Sequence, residues 1–199
     1  MPSLPIGVLA LQGGVEEHLD MLRQVGAEPV SVRSPGAVSG LSGMILPGGE
    51  STALIKLIHR WELAGPIREL ARSGAPLWGT CAGAVLLSSR ISEREHPVEQ
   101  PSLNLAPVHA IRNRFGRQVE SFQEALKIAG LDRPFPGVFI RAPLLEPLRD
   151  SVEILASVDE GAVFLRSGRI WLSSFHPELT DDSRLHRLFV EEAEDAASQ

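Results

Sequence analysis

Among its 199 residues the chain has one cysteine and no tyrosine. A single thiol cannot close an internal disulfide, so a reducing, cytoplasmic setting is expected. Without tyrosine, and with few other aromatics, the chain offers no stacking platform for bases. No extended Lys/Arg-rich stretch stands out either: Lys and Arg total 19 against 25 Asp and Glu, for a net charge of −6. That balance argues against nucleic acid as a ligand. No apolar run is long enough for a membrane span, and Met1 to Gln12 carries no basic leader segment, so no membrane association is expected. His18, His59, His96, His109 and His186 show no ligand spacing, which predicts no metal and leaves them as surface or core residues. Neither a repeat nor a linker-like stretch divides the chain, and the length suits one domain, residues 1–199, with a sizeable core.

What is present is an alternation of short apolar runs and amphipathic segments. Ile6 to Leu11 is apolar throughout and reads as a strand buried on both faces. Val15 to Val25 has apolar residues at helical spacing, acidic residues near its start and Gly26 after it. Further strands are read at Pro29–Val32, Gly43–Leu46 and Pro76–Trp78, with a helix from a Ser51 or Thr52 cap to about Ile58 and another over Pro66–Arg72. The expected architecture is α/β: a doubly wound, mostly parallel sheet flanked by helices. The second half is less regular. Ser88 to Pro107 reads as a long loop, followed by short strands at Val119–Phe122, Val138–Ile140, Val152–Val158, Val163–Leu165 and Ile170–Ser173. Ser167-Gly168 suits a tight hairpin. A terminal helix is expected from Asp181 to about Ala197, fraying over the acidic run Glu191–Asp195.

The lone cysteine lies in Gly79-Thr80-Cys81-Ala82-Gly83, after an apolar strand and before a helical stretch. A lone cysteine is by default a small buried hydrophobe. Here the context reverses that default, because strand, tight turn, reactive side chain and helix make a nucleophile elbow. Helix N-terminal N–H groups stabilise a thiolate and a developing oxyanion. Near the other end, His176-Pro177-Glu178 supplies a base and a carboxylate to complete a Cys-His-Glu triad.

Pro47-Gly48-Gly49-Glu50-Ser51 follows a strand, where ligands bind in open α/β sheets. It lacks the Gly-Lys-Ser/Thr of a phosphate loop, and Glu50 suits an ammonium group such as an amino acid's α-amine. Arg141 ends an apolar strand, placed either to fork a carboxylate or to make a strand-end salt bridge. The basic run Arg112–Arg117 fits a carboxylate site, a partner-facing patch or a solvated loop equally well.

Taken together, Gly7–Gly13 with Glu17-His18, Leu46–Thr52, Gly79–Gly83, Arg112-Asn113 with Phe115–Gln118, Ser121-Phe122, Phe139–Pro143 and Phe175–Thr180 resemble one family. These segments are similar to the glutaminase subunits of pyridoxal 5′-phosphate synthases, which are triad-type, class I glutamine amidotransferases. The elbow and the His-x-Glu are common to many triad glutaminases; the 47–51, 112–118 and 139–143 segments are narrower. The resemblance implies that Cys81 attacks the side-chain amide of L-glutamine, His176 acts as base and acid, and Glu178 orients the imidazole. It further implies an oxyanion hole from the backbone N–H groups of Gly49 and Ala82. Gly49, Glu50, Ser51, Arg112, Ile140 and Arg141 would bind glutamine. No cofactor is implied. The implied partner is a (β/α)₈ synthase subunit that receives the ammonia and activates the glutaminase on docking near Gln12. An elbow-type cysteine hydrolase and a non-catalytic binding module are the competing readings. The first needs neither Glu50 nor Arg141, and an intact Cys81, His176 and Glu178 set speaks against the second.

Overall fold

Apolar runs bounded by glycine and proline become the central strands. The computed structural model describes residues 4–94, 96–112 and 121–198. β1 (Pro5–Leu9), β2 (Glu28–Val32), β3 (Gly43–Leu46), β4 (Leu77–Thr80) and β13 (Ile170–Ser173) run parallel in the order β2-β1-β3-β4-β13. β12 (Gly161–Ser167) adds antiparallel to β13, and β11 (Glu153–Val158) antiparallel to β12, completing a seven-stranded sheet. The β12–β13 turn includes Gly168 at φ 57°, a conformation suited to glycine. β1 alternates its side chains between two cores, as a strand covered on both faces must. Ile6 and Val8 join Trp78, Phe164, Phe175 and Phe189 on one face, while Leu9 joins Leu46, Leu54 and Ile58 on the other.

Helices cover both faces, in keeping with the α/β, mostly parallel arrangement expected. α1 (Val15–Gln24) and α5 (Arg184–Ala197) pack on the aromatic side. α2 (Ser51–Arg60), α3 (Ala64–Arg72) and α4 (Ala82–Leu87) pack on the aliphatic side. The strand order reverses between β1 and β3, because the chain moves outward from β1 to β2 and then returns to the far side of β1. A crevice therefore opens beyond the carboxyl ends of these two strands.

Several elements differ from the sequence reading. Ser88 to Pro107 is not a continuous loop. β5 (Ser88–Glu93) and a two-residue β6 (His96–Pro97) occupy its first part, and β7 begins at Ala106 and ends at Arg112. With β10 (Leu144–Pro147) they form a second sheet in the order β10-β7-β5-β6. β5 alternates poorly, exposing Ser89 and Arg90 in succession, and it pairs in parallel with β7 through a register shift. Such non-local pairing has no local signature. β8 (Ser121–Leu126) pairs with β9 (Phe135–Ile140) as a separate ribbon, whereas Val119 lies outside the described residues. α2 is capped by Glu50 rather than Ser51 or Thr52: its carboxylate accepts from Thr52 N at 3.0 Å and Ala53 N at 2.7 Å. α5 starts at Arg184, three residues later than expected, and stays helical to Ala197. Ala193 is fully buried there and Glu192 lies 3.7 Å from Arg166, so the acidic end is held by packing and by a cation.

Candidate active site

The elbow is built by two glycines. β4 runs into Cys81, whose φ of 49° and ψ of −107° turn the chain sharply before α4. A Cβ on Gly79 would lie 2.4 Å from the Gly83 carbonyl carbon, and one on Gly83 would lie 1.9 Å from the Leu46 carbonyl oxygen. The turn therefore closes only because both positions lack a side chain. The Cys81 N–H donates to Ser173 O at 2.7 Å, tying the elbow to β13. This strained residue is the one expected to carry the chemistry.

β13 leads directly to His176, and a short 3₁₀ turn (Pro177–Leu179) brings Glu178 back beneath it. His176 Nδ1 and Glu178 Oε1 are 2.8 Å apart. Cys81 lies on the other side of the imidazole and favours its charged form, and both side chains face Gly48. Cys81 Sγ additionally lies 3.7 Å from the Ile140 carbonyl oxygen at the end of β9. Gly48 is required alongside, since a Cβ there would sit 2.4 Å from His176 Cε1.

Electrostatics follow from burial and pairing. Burial works against a charged His176, but the hydrogen bonds and charges of Cys81 and Glu178 outweigh it and raise its pKa to about 10. Burial likewise opposes ionisation of Glu178, yet His18 and His176 hold its carboxyl below the usual range. His176 thus adds stability in full below about 6.5, and this is lost as pH rises through about 10. Glu178 adds stability above about 4.5, and this is lost on acidification. A ¹⁵N titration of the His176 ring should show an imidazolium unchanged through neutral pH, with its midpoint near 10. A midpoint at 6.5 would remove the coupling.

These residues open on a cleft of about 550 Å³ at the strand-order reversal, lined also by Gly49, Glu50, Ser51, Ala82, Arg112, Ile140 and Arg141. All ten site residues expected from the sequence therefore meet in one place. Arg141 sits at φ 46°, and no carboxylate among the described residues lies within salt-bridge distance of it. Of its two sequence readings, the strand-end salt bridge has no partner among the described residues. Arg112 is held by Gln100 Oε1 at 2.7 Å and faces Glu50 at 3.7 Å. Asn113 to Arg117, the rest of that basic run, lie outside the described residues. Glu50 is kept ionised against the opposing effect of partial burial by the Thr52 and Ala53 N–H groups and by Arg112.

Three side chains of this region carried no such role in the sequence reading. Gln100 Oε1 also accepts from Ser51 Oγ at 3.2 Å and Thr52 Oγ1 at 3.1 Å, binding a loop to the start of α2. His18 and His186 are fully buried behind Glu178. Gln100 lies in an irregular segment without a motif, and a histidine among apolar helix positions reads as core. The pairing Glu17-His18 inside a matched segment was the one available signal.

An α/β sheet with an elbow thiol, an adjacent imidazole–carboxylate pair and a cleft at its switch point fits the glutamine amidotransferase class. Residues 8–195 match the SNO glutamine amidotransferase family, and the chain belongs to that family. It is 48% identical to pyridoxal 5′-phosphate synthase subunit PdxT of Dehalococcoides mccartyi strain 195, over 96% of this chain and 98% of that protein. It is 46% identical to the PdxT subunit of Deinococcus radiodurans, over 94% and 96% respectively. A crystal structure of a glutamine amidotransferase superposes with a TM-score of 0.88 at 46% identity, covering 95% of this chain and 98% of that one. Among the described residues, no helix is long and apolar enough to cross a membrane.

Proposed function

We propose that the chain is a cytoplasmic, single-domain glutaminase subunit of a pyridoxal 5′-phosphate synthase, hydrolysing L-glutamine to L-glutamate and ammonia through Cys81, His176 and Glu178. The observation that carries this reading is His176 paired with Glu178 at 2.8 Å and lining, with Cys81 and Arg141, a single cleft. Relatives of nearly equal length named PdxT support the synthase assignment.

In this reading the Arg141 guanidinium takes the substrate α-carboxylate and Glu50 the α-ammonium. Capping of α2 occupies only part of the lone-pair capacity of the Glu50 carboxylate. Arg112, Ser51, Gly49 and the Ile140 backbone complete the glutamine site. The Cys81 sulfur, its proton passed to His176, attacks the amide carbon. The backbone N–H groups of Gly49 and Ala82 take the charge of the carbonyl oxygen. The C–N bond then breaks, and His176 returns the proton so that ammonia leaves. Water attacks the resulting thioester with His176 as base. Glutamate departs and the thiol is restored. Glu178 keeps the imidazole in the Nδ1–H form and supports its charge. Ammonia passes to a (β/α)₈ synthase subunit, which docks over the cleft mouth near Gln12 and raises glutaminase activity. No cofactor enters the hydrolysis.

The decisive test is glutamate release from L-glutamine by the purified chain, with and without the synthase subunit. Turnover that rises strongly with the partner is expected. Equal turnover with and without it would remove the synthase assignment; none in either case would return the site to an elbow-type hydrolase. Arg141→Ala should raise KM for glutamine about tenfold or more with a smaller change in kcat, as loss of ground-state binding does. Weakened association with the synthase at unchanged KM would instead remove Arg141 from the glutamine site.

A further inference from the structure

Behind Glu178 lies a buried row of groups that the hydrolysis does not use. Glu178 Oε1 is committed to His176, while Oε2 makes no well-angled hydrogen bond and faces His18 Nε2 at 3.3 Å. Both side chains are fully buried. His18 Nε2 also lies 3.4 Å from Thr80 Oγ1, on the residue preceding Cys81. On its other edge, His18 Nδ1 is 2.9 Å from His186 Nε2 of α5. His186 Nδ1 is buried without a partner, in a ring environment that includes Trp78.

These contacts select one tautomer. Burial, the largest influence, disfavours charge on both rings; Glu178 and Glu17 draw His18 the other way, His176 repels a proton on His18, and His18 repels one on His186. A neutral His18 has a single N–H. If that hydrogen were on Nδ1, a bare Nε2 lone pair would face the Glu178 carboxylate, and His186 would bury an unpaired N–H. With the hydrogen on Nε2, it points towards Glu178 and Thr80, Nδ1 accepts from His186 Nε2–H, and the unpaired His186 atom is a bare acceptor. Orphaned buried donors are rarer than under-satisfied acceptors, so the second arrangement prevails.

We propose that His18, kept in its Nε2–H tautomer by His186, is a positioning residue for the glutaminase reaction, holding the second oxygen of Glu178 and through it the aim of His176. Gly14 completes the seat, because a Cβ there would lie 2.9 Å from Glu178 Oε1. α1 thereby carries a residue on which the Cys81 base depends, six residues after the cleft residue Gln12. The inference rests on the Cys81–His176–Glu178 reading above.

The test uses the full chain with its synthase subunit and compares His18→Leu, His18→Gln and Cys81→Ala. Glutamine replaces the Nε2 donor, so His18→Gln should keep kcat within about threefold, while His18→Leu should lose roughly tenfold or more in kcat with KM for glutamine nearly unchanged. A structural role alone would lower both variants in proportion to their Tm. Equal kcat for His18→Leu and the unaltered chain, or no advantage of Gln over Leu, overturns the proposal. Should the leucine variant not fold, ¹⁵N spectra of the unaltered chain decide: a hydrogen on His18 Nε2 is expected, and one on Nδ1 overturns it. Activity retained by Cys81→Ala would instead defeat the glutaminase reading itself, so the two failures are distinct.

Discussion

Replacing Cys81 with alanine should abolish glutamine hydrolysis, lowering kcat/KM by at least about 10³-fold, because residues that act as a covalent unit lose most of their catalysis together. The side chain is small and buried, and its removal takes away the sulfur's 3.7 Å contact with the Ile140 carbonyl and its influence on His176. Stability should change little, and the positive φ at this position persists through the Cys81 N–H bond to Ser173. The loss of the thiol partner should also lower the His176 pKa, since its hydrogen bond and charge help to raise it. Glutamate release and a His176 titration on one preparation check both effects. Turnover retained by the alanine variant would remove Cys81 from the reaction.

Gly83→Ala should damage fold and site at once. The added methyl would lie 1.9 Å from the Leu46 carbonyl oxygen. Leu46 cannot retreat, because β3 is paired to β1 on one side and β4 on the other. α4 must shift instead, which overpacks the sheet and costs about 3 kcal/mol or more. For a chain of this size that is roughly 6–12 °C in Tm. A shift of about 1 Å at Cys81 should lower turnover roughly 100-fold. Gly65→Ala is the internal control: its Cβ meets nothing within 4 Å on an exposed turn of α3, so it should be neutral or slightly stabilising. Equal melting temperatures for the two alanine variants would show that the elbow tolerates a side chain at 83.

Much of the central sheet was legible because β1, β3, β4 and β13 are covered on both faces and therefore largely apolar. The second sheet was not. β5 carries Arg90 and Glu93 beside Ile91, and its pairing with β7 spans a loop that includes Pro101. The cap of α2 was misassigned by a residue, because Glu50 reaches forward to its N–H groups while Ser51 turns to Gln100. Cys81, His176 and Glu178 could be singled out because elbow and turn are local constraints written in neighbouring residues. His18 could not, since 160 residues separate it from Glu178 and only packing of α1 against the 3₁₀ turn brings them together.

The sequence by itself determined where the sharp turn falls, which atom it presents, and that a base and a carboxylate follow a strand. It did so because a glycine-bounded elbow leaves its residues few alternatives. Only the tertiary structure decided that Arg141 faces the cleft without a carboxylate partner among the described residues, that Glu50 caps a helix, and that a second histidine backs Glu178. Those outcomes depend on which buried polar groups find partners across the sheet, and burial without a partner is too costly to leave to chance.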